Sequence, residues 1–156
     1  MNFRVAQAAD IDLILSLIQA FYAEDGDITF VEYEVRRSVL ELIADRSLGA
    51  IWIIEMADHP AGYIVFTLGY SLEFHGRDAL IDELYIKPEY RGRNLGIEAI
   101  RMVEAFGRER GVRAVHLEAD EEKYRLREYY RRAGYGDHRR RLMTRWLSAS
   151  PAPESG

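Results

Sequence analysis

The sequence contains no cysteine among its 156 residues. Disulfides, thiolate nucleophiles and cysteine-based zinc sites are thereby excluded, and any transfer reaction must avoid a cysteinyl intermediate. No segment approaches the roughly 20 consecutive apolar residues of a membrane span, and Met1-Asn2-Phe3-Arg4-Val5 lacks the basic start and apolar run of a signal peptide. The expectation is a soluble, cytoplasmic protein with no membrane partner. An excess of positive charge is also missing: 21 Lys and Arg against 26 Asp and Glu leave a net charge of −5. Neutralising nucleic-acid phosphates requires a basic surface, so no nucleic-acid partner is expected. The one basic cluster, His138-Arg139-Arg140-Arg141 with Arg145, is read as the solvated end of a strand rather than a phosphate patch. His59, His75, His116 and His138 show no metal-ligand spacing, so no metal is expected.

What is present is ordinary globular material, 48% hydrophobic and 30% charged, without repeats. A chain of this length supports one core, and a domain of about 150 residues buries roughly 70% of its unfolded surface. A single domain over 1–147 follows. Residues 148–156, Ser-Ala-Ser-Pro-Ala-Pro-Glu-Ser-Gly, have nothing to bury and read as a disordered tail.

Periodicity orders the rest. Phe3-Arg4-Val5 reads as a first strand, and Asp10 as the N-cap of a helix to about residue 23, with Ile11, Ile14, Leu15 and Ile18 on one face. Thr29 and Glu32 have capping-box spacing before a second helix carrying Val35, Val39, Leu42 and Ile43. Ile51 to Ile54, Tyr63 to Leu68 and Leu80 to Ile86 then read as strands of an antiparallel meander. The turn falls at Asp58-His59-Pro60-Ala61-Gly62, and His75 to Asp78 form a connection. Pro88 closes the last strand. A helix with Ile97, Ile100, Val103 and Phe106 inward ends near Gly111, a strand covers Val112 to Leu117, and a helix from about Asp120 stops at Gly134. Asp137 to Leu147 read as one or two final strands. The fold class is α/β, a mixed sheet with helices on both faces.

Between the Pro88 stop and the next helix lies Arg91-Gly92-Arg93-Asn94-Leu95-Gly96. Backbone N–H groups at a helix start have no intrahelical partner, and the helix dipole adds about half a positive charge there, so the segment favours an anion. Gly92 and Gly96 let the backbone approach a ligand, and Asn94 enters positive φ readily. The pattern is neither a dinucleotide fingerprint nor a Walker loop.

The stretch from Ile81-Asp82-Glu83-Leu84-Tyr85-Ile86 through Pro88 to Arg91-Gly92-Arg93-Asn94-Leu95-Gly96 resembles the coenzyme A motif of the GNAT family of N-acetyltransferases. The family pattern is a strand, a proline, then Arg/Gln-x-x-Gly-x-Gly/Ala opening a helix; Asn94 replaces the central glycine. Tyr129-Tyr130-Arg131-Arg132-Ala133-Gly134-Tyr135 is similar to the family's later helix ending, Leu-Tyr-x-x-x-Gly-Phe. The resemblance implies a GNAT-like fold, a mixed and mostly antiparallel sheet flanked by about four helices. It implies an N-acetyltransferase that moves acetyl from acetyl-CoA to a primary amine of a small molecule or peptide, by direct transfer in a ternary complex. The alternative is a noncatalytic acyl-CoA-binding regulatory domain, which would keep the loop without needing Tyr130. A homodimer is a further family expectation.

By the same resemblance, acetyl-CoA lies beside the backbone of Leu84, Tyr85 and Ile86. Its pyrophosphate meets Arg91, Gly92, Arg93, Asn94, Leu95 and Gly96, and Lys123 stands where many members have an Asn contacting the pantetheine arm. Tyr130 is the candidate general acid for the departing thiolate, with Tyr129 adjacent but about 100° around the helix. Glu83 is the candidate base, acting directly or through water. Asp82, on the opposite side by strand alternation, is its competitor. Glu24, Asp25 and Asp27 read as a solvated loop, or else as an acidic rim attracting a cationic amine. Acceptor specificity is expected in the variable segments 20–35, 70–78 and 134–147.

Overall fold

The computed structural model describes residues 1–119, 124–138 and 142–147. The chain divides into two compact units, Met1–Glu118 and Ala119–Gly156.

In the first unit, β1 (Asn2–Val5), β2 (Gly49–Met56), β3 (His59–Ser71), β4 (Gly76–Ile86) and β5 (Ala114–Leu117) form one five-stranded sheet in chain order. The first three pairings are antiparallel, and β5 joins β4 in parallel. A parallel pair cannot close through a hairpin, and α3 (Leu95–Glu109) supplies the crossover. Helices α1 (Ile11–Asp25) and α2 (Glu32–Ala44) lie between β1 and β2 in sequence.

Each face of the sheet has its own cover. Ile14, Leu17 and Ile18 of α1 and Val39 of α2 pack with Ile51, Ile53, Tyr63, Val65 and Tyr85 on one face. The intervening residues Trp52 and Phe66 meet Phe106 of α3, with ring centroids 4.7 and 6.1 Å apart. Leu95, Ala99, Ile100, Val103 and Gly107 complete the buried stripe of α3. A Cβ at Gly107 would stand 3.2 Å from the Phe66 ring, so glycine sets how closely α3 approaches the sheet. Burial on both faces is why β2 reads as an unbroken apolar run instead of alternating.

Several boundaries differ from the sequence reading. The β2–β3 turn is Ala57-Asp58, both at positive φ, and His59-Pro60-Ala61 already belong to β3. The pairing shifts at Ile54/Glu55 beside Pro60, a bulge of the kind that accommodates proline within a sheet. His75 to Asp78 are no mere connection, since β4 starts at Gly76 and pairs Arg77 with Tyr70. The Thr29 capping box does not form: Val31 is the N-cap of α2, and Glu32 accepts a bond from Arg36 instead. Asp10 does precede α1 but makes no cap bond into it.

Asp10 is engaged elsewhere. The Arg4 guanidinium donates two 2.8 Å bonds to Asp10 and one of 2.7 Å to Glu55, tying β1 to β2 and to the start of α1. These bonds hold both carboxyls below their ordinary range. Groups with lowered folded-state pKa stabilise above the unfolded value and lose that contribution as pH falls through the folded one. Arg4→Met is expected to cost about 1 kcal/mol at pH 7, given the partial exposure, and about 2–4 °C in Tm. In a thermal-melt series that difference should shrink as pH falls below about 4.

The second unit contains α4 (Tyr124–Arg132). The Gly134 N–H donates to the Arg131 carbonyl and the Tyr135 N–H to the Tyr130 carbonyl, with Gly134 at φ +100°. This is a Schellman stop, and glycine is the residue that adopts it without strain. The expected helix start at Asp120, the Lys123 contact, Arg139 to Arg141 and the 148–156 tail lie outside the described residues. No described residue between 137 and 147 is in a strand, so the final strands of the sequence reading are not found there.

Candidate active site

The centre of the site is an irregularity in β4. Val65 pairs with Glu83, but the next residue, Phe66, pairs with Ile81, which leaves Asp82 without a partner in the register. This bulge breaks the strict alternation assumed from the sequence. Glu83 joins Tyr85 on the α1 side, while Ile81, two residues away, shares Phe66's opposite face.

The bulge also marks where β4 and β5 part. Their pairing runs from Asp78–Ala114 to Ile81–Leu117 and ends there. Beyond it, Asp82 to Ile86 have β3 on one edge and no described strand on the other. The Lys87 N–H donates 2.9 Å to the Ala61 carbonyl, and the Tyr85 carbonyl lies against Gly62. Alternation then turns the backbone groups of Leu84 and Ile86 toward the open edge and those of Tyr85 toward β3. The Ile86 carbonyl indeed accepts a 2.8 Å bond from the Arg91 side chain on that edge.

The loop leads from this edge to α3. Pro88–Tyr90 make a short 3-10 turn, Arg91 is extended, Gly92 takes φ +73° and Asn94 takes φ +63°. Asparagine thus fills the left-handed position that its side chain tolerates best after glycine. Asn94 is the N-cap of α3 and makes no side-chain cap bond, so no side chain of the cap residue covers the first N–H groups of the helix. Leu95 is buried as an anchor, Gly96 stands in the first turn, and a Cβ at Gly92 would meet nothing within 4 Å. Arg93 is exposed, 5.9 Å from the Tyr90 ring. Arg91 folds back: it also donates 2.7 Å to Glu24, at the end of α1, and lies 5.8 Å from the Tyr85 ring. Glu24 is therefore part of an ion pair rather than only a solvated loop residue.

Glu83 is enclosed by aromatic residues from two elements. The Tyr22 hydroxyl of α1 donates 2.7 Å to its Oε1, and the Tyr63 hydroxyl of β3 donates 2.6 Å to its Oε2. Burial pushes the carboxyl above its ordinary range; the two hydroxyls oppose that rise, and the nearby Asp82 charge adds to it. Burial likewise raises both phenols, which stay protonated donors at neutral pH. Tyr22 and Tyr63 escape a reading of sequence because they lie 61 and 20 residues from Glu83, and only the helix-on-sheet packing brings them together.

In the second unit, Tyr130 is half-buried, and burial raises its phenol. Its ring lies 5.6 Å from Tyr129 and 6.2 Å from Tyr135. Tyr129 is half-buried as well, so burial alone does not separate the two tyrosines.

Residues 13–135 match the acetyltransferase (GNAT) family. The chain belongs to that family. Among its relatives is an uncharacterised N-acetyltransferase of Methanocaldococcus jannaschii, 23% identical over 139 residues, which cover 88% of this chain and 61% of the relative. The chain thus spans less than two thirds of that relative's length. Among solved structures, an integron cassette protein from the mobile metagenome of Cole Harbour Salt Marsh superposes with TM-score 0.83 at 30% identity, covering 95% of this chain and 91% of that one. A predicted acetyltransferase of Clostridium acetobutylicum, solved with acetyl-CoA, superposes with TM-score 0.78 at 21% identity, covering 92% and 95%. No described helix is long and apolar enough to cross a membrane.

Proposed function

We propose that this chain is an acetyl-CoA-dependent N-acetyltransferase, moving acetyl directly to a primary amine of a small molecule or peptide within a single domain over 1–147. The observation that carries the reading is the continuity of an open β4 edge with an uncapped helix start. The residues fit the ligand. A pantetheine arm has the amides to pair with the Leu84 and Ile86 edge as a strand would, and a pyrophosphate matches the N–H groups and dipole of α3 beyond Gly92. A backbone N–H on this edge that faces the thioester oxygen stabilises the negative charge developing there, a contribution of about 3 kcal/mol in comparable sites.

Glu83 supplies the base. An amine attacks only when neutral, and a carboxyl whose pKa is raised by burial is better matched to taking a proton near neutrality than an ordinary surface carboxyl. The proton passes from the ammonium to Glu83 directly or through water, and Tyr130 donates one to the departing thiolate.

Glu83→Gln tests this in a thiol-release assay over a panel of amines. The base acts only when deprotonated, so wild-type activity should rise with pH through the Glu83 ionisation. In the variant only the amine's own deprotonation remains, and the acidic limb should move to higher pH, with a loss of about 10²-fold below the amine's pKa. An unchanged pH-rate profile would remove Glu83 from the mechanism, and no thiol release with any amine would favour a noncatalytic acyl-CoA-binding domain.

A further inference from the structure

We infer that Tyr22 and Tyr63 are positioning residues that hold both carboxylate oxygens of Glu83 and keep it ionisable at the acetyl-transfer site. The inference rests on the N-acetyltransferase reading.

The geometry is a clamp from two directions. Tyr63 comes from the neighbouring strand, is fully buried, and takes Oε2; Tyr22 comes from the last turns of α1, is half-buried, and takes Oε1. Each tyrosine is itself braced. The Tyr63 ring lies 6.2 Å from Tyr85, and Tyr22 contacts Phe21 at 5.8 Å and Phe30 at 6.3 Å. Two residues beyond Tyr22, Glu24 is joined to Arg91 by a 2.7 Å ion pair, which links the end of α1 to the loop before α3. Glu83 is half-buried, so the two O–H donors stand in for part of the water its charge has lost.

Both hydroxyls are phenols, with an ordinary pKa of about 10, raised further by burial and by the Glu83 charge. They therefore donate, and favour the charged form of Glu83. Among the described residues, the other charge acting on Glu83 is that of Asp82 on β4, which disfavours its ionised form. Deleting either hydroxyl leaves burial and Asp82 in place while removing one support, so the Glu83 pKa should rise further. An orienting role alone would lower kcat at every pH; support for ionisation moves the acidic limb as well.

The test uses the whole chain with Tyr22→Phe and Tyr63→Phe, each keeping its ring and packing. Carbon-detected NMR of glutamate-labelled protein, with Glu83→Gln for assignment, follows the Glu83 carboxyl through pH, and thiol release follows kcat. The expected result is an upward shift of the carboxyl titration in each variant and a matching shift of the acidic limb. Activity on the acid side should fall about tenfold, while the plateau at high pH changes less. An unmoved titration in both folded variants would overturn the inference even if wild type transfers acetyl. A titration that moves in a protein that releases no thiol supports the clamp and overturns the enzyme reading instead.

Discussion

Phenylalanine at position 130 is expected to lower kcat about 10²-fold or more while leaving acetyl-CoA affinity and thermal stability near wild type. In the proposed transfer the coenzyme A thiolate must acquire a proton as it leaves, and a positioned acid contributes about 10²- to 10⁴-fold to such a step. Tyr130 has the required protonation state, since burial raises its phenol above the ordinary value and keeps the proton in place at neutral pH. Its own backbone is held in the helix stop. The Tyr130 carbonyl accepts from both Ala133 and Tyr135 in the stop at Gly134, and its ring packs on Tyr129 and Tyr135. Phenylalanine preserves those ring contacts and removes only the hydroxyl, so a large fall in kcat at constant KM is the signature of a lost donor. Tyr129→Phe is the control, and it matters because both neighbours are half-buried. A comparable small loss in both would mean that water or the substrate protonates the thiolate.

The sequence shows the fold through period and punctuation, and shows the site only where chemistry is local. Asn94 was readable as a left-handed position because its side chain tolerates positive φ, and it takes φ +63°. Gly134 was readable as a helix stop for a similar reason. The bulge at Asp82 was not, because Ile81-Asp82-Glu83-Leu84 looks like an ordinary alternation and the register shift depends on β3. That shift decides which way Glu83 points relative to Ile81, so its surroundings could not be read from β4 alone. The Glu24–Arg91 pair was hidden likewise, since 67 residues separate the partners. Thr29 misled because capping-box spacing is local, whereas Glu32 finds a better partner in Arg36, one turn along α2.

Acetyl-CoA is proposed to bind where β4 opens and α3 begins. Calorimetric titration of acetyl-CoA into wild type and Gly96→Glu addresses that directly. Gly96 is in the first turn of α3, where a glutamate would place bulk and negative charge against the pyrophosphate. The same substitution removes a glycine from a helix and puts an acid at its positive end, so it should not weaken the fold through the helix itself. One-to-one binding by wild type, an affinity lower by at least about 30-fold in the variant, equivalent to about 2 kcal/mol, and an unchanged or higher Tm are the expected results. Equal affinity in a folded Gly96→Glu protein, or no binding to wild type, would contradict the proposed site.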